Sequence, residues 1–216
     1  MLILGLDPGS LCTGYGLIEV RRGAMLWRAS GTLRPPRGDA LPARLLALQN
    51  GLRELLRETR PQAMSIEDSF VGRNSRAALV LGEARGVLTV TALSEGVPLF
   101  EYAPRLVKLS VTGSGGASKE QVHRMVGHLI ERVPRDLPLD VTDALALAVC
   151  HAHRCAQPPD PPRSADGRTG DGGGAQSRRR ANARSQGGGR DPFRTAREWS
   201  GSLPRAGGGT RLRETR

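Results

Sequence analysis

Apolar residues run without a break from Leu2 to Leu6 and stop at the turn-forming segment Asp7-Pro8-Gly9-Ser10. A short, wholly apolar run that ends in a turn predicts a strand buried on both faces of a sheet. Two further strands are predicted over residues 15–20 and 25–33, joined by a hairpin turn at Arg21-Arg22-Gly23-Ala24. The chain therefore opens with a three-stranded meander that contains a central strand.

The pattern then changes to helical periodicity. Leucines recur at helical spacing over residues 41–59, which predicts an amphipathic helix. Strands are predicted over residues 63–66 and 97–102, and helices over residues 75–93, 104–111, 118–132 and 140–154, with Ser118 as an N-cap. A meander followed by alternating helices and strands indicates an α/β protein with a ribonuclease-H-like fold, in which a five-stranded mixed sheet is flanked by helices.

Composition divides the chain into two parts. The 216 residues carry a net charge of +11, and residues 157–216 contain 13 Arg, no Lys, 6 acidic residues and 12 Gly. Such a segment has too few apolar residues to bury a core. We therefore predict a globular domain with the ribonuclease-H-like fold over residues 1–156 and a disordered, Gly/Arg-rich basic tail over 157–216. The tail is either a solvated extension or an arm for nucleic-acid phosphates, and anionic membranes would attract it too.

Several classes of protein and site are disfavoured. The sequence has no apolar run near the ~18 residues of a membrane span and no signal-peptide pattern. Three unevenly spaced cysteines predict free thiols in the cytoplasm. Residues 113–119 (GSGGASK) lack the Gly before Lys and the Ser or Thr after it that a P-loop needs. Residues 150–155 form a Cys/His cluster. On one continuous helix the side chains of Cys150 and Cys155 would point about 140° apart, which argues against a shared zinc ion.

Four acids are candidates for metal ligation. Asp7 and Glu67 each follow a predicted strand, and Asp140 and Asp143 are spaced i, i+3 at the start of a predicted helix. Asp68 competes with Glu67, but neighbours in a strand face opposite sides. Four carboxylates this close together need a cation to offset their repulsion, and ligands that are all oxygen suit Mg²⁺ or Mn²⁺. Two such ions about 4 Å apart can stabilise the attacking and leaving oxygens of a phosphodiester, so the predicted chemistry is metal-assisted phosphodiester hydrolysis.

Each of these acids also has a purely structural interpretation. Asp7 can initiate a turn, Glu67 can be a solvated loop acid, and Asp140 can cap a helix whose first turn also favours Asp143.

Basic and aromatic residues complete the candidate site. Lys108 and Lys119 are the two lysines among 32 basic residues, which indicates positions that need a compact ammonium group. Phe70 lies three residues after Glu67 in a polar loop, where its ring can stack on an unpaired base. Arg73, Asn74 and Arg76 are candidates for phosphate contacts. In the purely structural alternatives, the two lysines are simply solvated, and Phe70 anchors its loop to the core.

Three segments together resemble the RuvC family of bacterial Holliday junction resolvases. They are ILGLDPGS followed by TGYG at residues 3–16, Ile66-Glu67 with Phe70, and DVTDALA at residues 140–146. The resemblance runs in order from Leu2 to about His153, and the tail has no counterpart in it.

The resemblance implies a function and partners. Asp7, Glu67, Asp140 and Asp143 match the family's four metal-binding acids, and Lys108 and Lys119 resemble its catalytic-site lysines, of which Lys119 is the catalytic candidate. A homodimer is expected to bind a four-way DNA junction and to make paired nicks in strands of like polarity, whose ends a ligase can seal. The two-metal chemistry is expected to leave 5′-phosphate and 3′-hydroxyl ends. RuvA and RuvB branch-migration proteins are the implied partners.

Three other functions remain as alternatives. A ribonuclease-H-like nuclease of the YqgF type, acting on RNA, shares the Asp-Pro-Gly strand end. An actin-like ATPase would use the same segment as a phosphate hairpin, but a second hairpin and an adenosine site are not evident. A non-catalytic nucleic-acid-binding module would depend on the arginine tail, so it would lose its activity on truncation at Ala156.

Overall fold

One mixed sheet organises residues 1–68 and 75–156, the part of the chain that this computed structural model describes. Its strand order is β5-β4-β1-β2-β3-β6. The strands are β1 (Leu2–Asp7), β2 (Thr13–Arg21), β3 (Ala24–Leu33), β4 (Ala63–Glu67), β5 (Leu99–Tyr102) and β6 (Ile130–Glu131). The first three form the predicted antiparallel meander, whereas β4, β5 and β6 join it through parallel pairing. The ribonuclease-H-like arrangement expected from the sequence is therefore present.

Within the described residues, five helices cover the two faces of the sheet. They are α1 (Leu41–Thr59), α2 (Ser75–Ser94), α3 (Pro104–Thr112), α4 (Lys119–Leu129) and α5 (Leu139–Ala156). Leucines of α1 and α2 pack on one face in one apolar cluster, and α3, α4 and α5 build a second cluster on the opposite face. Burial of apolar surface on both faces is the main stabilising contribution, at about 25 cal/mol per Å².

Alternation along β1 decides which residues face each cluster. Leu4 and Leu6 pack towards α1 and α2, whereas Ile3 packs towards α5. Because strand side chains alternate, Gly5 and Asp7 share the α5 face with Ile3. The central strand therefore delivers a carboxylate to the α5 face at the point where it ends.

A glycine surface lets α5 approach that face closely. A Cβ atom added to Gly5 would overlap the backbone carbonyl of Ala144, and one added to Gly14 would overlap the carbonyl of Asp140. At Gly16 the added atom would meet the Leu145 side chain at 2.5 Å. The backbone of α5 therefore lies against the sheet where no other residue type fits without displacement.

The expectation of five strands was wrong. The helix predicted over residues 118–132 ends at Leu129, and Ile130 and Glu131 pair in parallel with Met25 and Leu26 of β3. Ile130 is 2% exposed, so its burial against β3 outweighs continuation of the helix. The predicted Ser118 N-cap is present, since its side chain accepts from the Gln121 backbone N–H in a capping box.

The predicted tail over residues 157–216 lies outside the described residues. The boundary after residue 156 therefore stays a prediction, as does the character of the tail.

Candidate active site

Asp7 and Glu67 lie at adjacent strand ends. Strands β1 and β4 pair in parallel up to Leu6 and Ile66, so Asp7 and Glu67 are the next residues of the two strands. Asp68 still donates its backbone N–H to the Tyr102 carbonyl at 2.9 Å. Strand geometry thus continues past Glu67 and separates Glu67 from Asp68, so that Glu67 shares a cavity with Asp7.

The first turn of α5 brings two more acids to the same place. Asp140 and Asp143 project from one side of that turn, whose backbone packs on Gly14 of β2. All four acids line a cavity of about 360 Å³. Its other walls are Pro104, Val107, Lys108, Lys119, Val122, Ala146 and Leu147. Three separate elements therefore supply the four carboxylates.

Burial and mutual repulsion raise the pKa values of two of these carboxyl groups, those of Asp7 and Glu67. Burial, followed by the charges of Asp143, Glu67 and Asp140, raises the pKa of Asp7 from 3.8 to about 7. Burial and the charge of Asp143 also raise the pKa of Glu67. The cavity therefore concentrates more negative charge than its own basic residues neutralise.

Two lysines provide partial compensation. Nζ of Lys119, at the start of α4, donates to Oδ2 of Asp143 at 3.1 Å, and this hydrogen bond raises the pKa of Lys119. The charges of Lys119 and Lys108 both lower the pKa of Glu67 against the effect of burial. The structure thus places both predicted lysines at the acids.

The donor chemistry of the cavity fits a hard divalent cation. Every acidic donor is a carboxylate oxygen, the ligand type that Mg²⁺ and Mn²⁺ prefer. The raised pKa of Asp7 shows that added positive charge would stabilise its ionised form. Within residues 1–68 and 75–156, however, no three His, Cys, Asp or Glu side chains are arranged so that they could hold an ion together. Lys119 occupies one oxygen of Asp143 in this arrangement.

The structure does not place the remaining predicted DNA-contacting residues at the acid cavity. Arg76 is exposed in the first turn of α2 and does not line the acid cavity. Phe70, Arg73 and Asn74 lie outside the described residues.

Cys12 is a neighbour of the acids that the sequence pattern did not predict. The Cys12 thiol donates to Asp140, and burial together with this hydrogen bond raises the pKa of the thiol. Cys12 lies in the loop after β1, and no local pattern marks it as a partner of a residue more than 120 positions away.

The Cys/His cluster of α5 lies on one continuous helix and serves packing. His151 is 1% exposed, and its Nδ1 lies 2.7 Å from the Tyr102 hydroxyl on β5. Its Nε2 lies 3.3 Å from Sγ of Cys155. Burial lowers the pKa of His151, which keeps the ring neutral. These contacts tie the helix that carries Asp140 and Asp143 to the strand beside Glu67.

The meander extended by parallel strands, with acids at the adjacent ends of β1 and β4 and at the start of α5, defines a nuclease of the ribonuclease-H-like class. A family model described as "Crossover junction endodeoxyribonuclease RuvC" matches residues 3–151. The chain belongs to this family. It is therefore an endonuclease that resolves Holliday junctions, as the sequence resemblance predicted.

Relatives and a solved structure agree with this assignment. The chain is 45% identical over 156 residues to the RuvC crossover junction endodeoxyribonuclease of Chlorobaculum parvum, which covers 72% of this chain and 83% of the relative. It is 45% identical over 152 residues to the Moorella thermoacetica enzyme, covering 70% and 91%. The structure of T. thermophilus RuvC in complex with a Holliday junction substrate superposes with a TM-score of 0.68 and 29% identity, covering 72% and 94%.

Proposed function

We propose that this chain cuts four-way DNA junctions by metal-assisted phosphodiester hydrolysis in the acid cavity. The observation that carries this proposal is the convergence of four carboxylates and two lysines, from separate elements, on one cavity of about 360 Å³. Phosphodiester hydrolysis requires an activated water, a stabilised leaving oxygen and neutralised phosphate charge. The residues of this cavity provide for all three.

Each residue has a proposed role. Asp7, Glu67, Asp140 and Asp143, which line one cavity, would hold two metal ions, with Asp7 common to both. Mg²⁺ or Mn²⁺ held there would supply Lewis-acid stabilisation of the leaving oxygen and activation of a water. Lys119, held by Asp143 at 3.1 Å, is placed to donate to the scissile phosphate. Lys108, which also lines the cavity, would offset part of its negative charge, and the products would carry 5′-phosphate and 3′-hydroxyl ends.

The DNA-contacting residues are assigned on sequence grounds. Phe70 follows Glu67 by three residues in the sequence, and we propose that its ring stacks on a base unpaired at the crossover. Arg73, Asn74 and the exposed Arg76 would contact phosphates.

A substrate comparison with a matched pair of variants tests the proposal. Wild type, Asp7→Asn and the exposed-acid control Asp39→Asn are each incubated with a four-way junction, a linear duplex and an RNA/DNA hybrid, in Mg²⁺, Mn²⁺ or EDTA. We expect nicks in the junction alone, only with metal. Asp7→Asn should lose more than about 100-fold in rate, since even outer-shell partners of metal ligands cost 10–100-fold.

Binding is measured beside cutting. Asp7→Asn should bind the junction at least as well as wild type, because it removes negative charge next to phosphates. Cutting of only the RNA strand would replace this proposal with the ribonuclease alternative. Junction binding without cutting in any metal would instead support the non-catalytic module.

We further propose that α2 is the homodimer contact. Leu79, Val90 and Leu93 are 64%, 62% and 56% exposed, and they lie 11 and 3 residues apart along the helix. This is the spacing of a stripe on one helix face, and Gly82 and Gly86 on the exposed side permit close approach. A second copy of α2 presents the same stripe, so a two-fold contact would cover both.

The apolar character of α2 has one other interpretation. By length and composition alone, its segment Arg76–Ser94 is long and apolar enough to cross a membrane, although no membrane span was predicted there. We favour the protein contact because the opposite side, including Ala84, Leu88 and Ala92, is fully buried in the domain. Cytoplasmic location and action with RuvA and RuvB complete the proposal, on sequence grounds.

A further inference from the structure

A side chain from the opposite face of the sheet reaches the Glu67 end of β4. Arg85 lies in α2, and its Nε donates to the backbone carbonyl of Glu67 at 3.2 Å. Its Nη2 lies 2.8 Å from Oε1 of Glu101 in β5. One arginine therefore links α2 to the ends of two neighbouring strands.

The two contacts of Arg85 differ in kind. Its side chain is 18% exposed, and that of Glu101 is 44% exposed. Nη2 is buried and its approach to Glu101 is an ion pair without hydrogen-bond geometry. The bond from Nε to the Glu67 carbonyl is thus the directional contact, and charged donors form the stronger hydrogen bonds.

The end of β4 needs such a donor because of its neighbours. In β1 the residue after Asp7 is Pro8, which has no backbone N–H to extend the pairing with β4. On the other side, Asp68 donates to the Tyr102 carbonyl at 2.9 Å, which ties the backbone to β5. The Glu67 carbonyl is held instead by a side chain, and that side chain belongs to α2.

We propose that Arg85 is a positioning residue that sets the metal affinity of the acid cavity. By anchoring the Glu67 carbonyl it fixes the backbone from which the Glu67 carboxylate extends towards Asp7. This inference rests on the proposed function, in which Glu67 is a metal ligand. Arg85 acts through Glu67 from the far face of the sheet, and its side chain does not line the acid cavity.

A metal titration independent of turnover tests the role. In Arg85→Met the side chain keeps its length approximately and loses its donors. We expect Mn²⁺ binding to the metal-free full-length chain, measured from the EPR signal of free Mn²⁺, to weaken roughly 10- to 100-fold, as for other outer-shell partners. The Mn²⁺ concentration for half-maximal junction cutting should rise by the same factor. Junction affinity in EDTA should not change.

The chain offers a matched control for this variant. Arg53 also lies on a helix, and its Nε forms an ion pair with Glu95 at 3.2 Å, outside the acid cavity. Arg53→Met should leave Mn²⁺ binding unchanged while it removes a comparable ion pair. A fall in Tm shared by both variants would then be separated from the metal effect.

Two milder variants keep the test decisive if Arg85→Met does not fold. Arg85→Lys lacks the Nε–H that bonds to Glu67 and should still bind Mn²⁺ more weakly than wild type, whereas Glu101→Gln leaves that bond in place and should weaken Mn²⁺ binding less than Arg85→Lys. Wild-type Mn²⁺ affinity in the Arg85 variants that fold would overturn the proposal. If wild type binds Mn²⁺ but cuts no junction, the proposed function fails, and the Mn²⁺ titration still decides the role of Arg85.

Discussion

The carboxyl group of Asp7 binds its proton more tightly in the folded protein than in the unfolded chain. Its pKa is raised from 3.8 to about 7, mainly by burial. Between these two values the folded state holds more protons than the unfolded state, so stability falls as pH rises from about 4 to 7 and is level above that window. The ionised cavity therefore opposes folding at neutral pH when metal is absent.

This sign gives a prediction for Asp7→Asn in EDTA. The amide does not ionise, so the Tm of the variant minus that of wild type should be near zero at about pH 4. The difference should grow to several degrees by about pH 7 and then stay constant. Thermal unfolding followed by circular dichroism from about pH 4 to about pH 8.5 measures it. A Tm difference that does not change with pH would show that burial and neighbouring charges do not raise the pKa of Asp7.

Residue-level signals explain why the acids were predictable and other partners were not. An apolar run that stops at Asp-Pro-Gly marks Asp7 locally, and an i, i+3 pair marks Asp140 and Asp143. The contact from Arg85 to Glu67 spans 18 residues and crosses to the other face of the sheet. Such a contact depends on how α2 packs, and no residue pattern near either partner encodes it.

At the scale of elements, the approach of α5 to β2 determines where Asp140 lies. Gly14→Ala would place a methyl group on the Asp140 carbonyl, so either α5 or β2 must move. We expect this single methyl to reduce junction cutting more than about tenfold and to lower Tm, since overpacking costs about 1–3 kcal/mol.

Gly127→Ala is the matched control. Gly127 lies in α4 with nothing within 4 Å of an added Cβ, so this variant should cut normally and gain about 0.5–1 kcal/mol of stability from helix propensity. Initial rates and thermal unfolding of both variants supply the comparison. Normal cutting by Gly14→Ala would mean that α5 can shift without moving its acids.

Long helices and strands were predictable because each carries its own periodicity. Helix α1 has the bounds predicted from its leucines, residues 41–59. Strand β6 has only two residues, and its pairing with β3 joins positions more than 100 residues apart. Short strands of this kind are stabilised by tertiary pairing, which a local pattern does not contain.

At the scale of the whole molecule, paired cutting requires two active sites held together. Leu93→Glu places a charge on the proposed contact stripe of α2 and should yield a monomer in sedimentation experiments at micromolar concentration. On a plasmid with an extruded cruciform, the variant should accumulate nicked circles where wild type gives linear product. Leu46→Glu on α1 is a control of equal exposure, 56% in both cases, and should stay dimeric. A dimeric Leu93→Glu protein that still linearises the plasmid would place the contact elsewhere.

The glycines that face α5 bear on any attempt to transplant this chemistry. Copying four acids and two lysines onto another α/β scaffold would reproduce every reactive group of the cavity. The helix carrying two of those acids would nevertheless be displaced if ordinary side chains stood where Gly5, Gly14 and Gly16 stand here. Three hydrogen atoms in place of side chains are thus as much a part of the minimal catalytic unit as its carboxylates, and a successful graft has to carry them along.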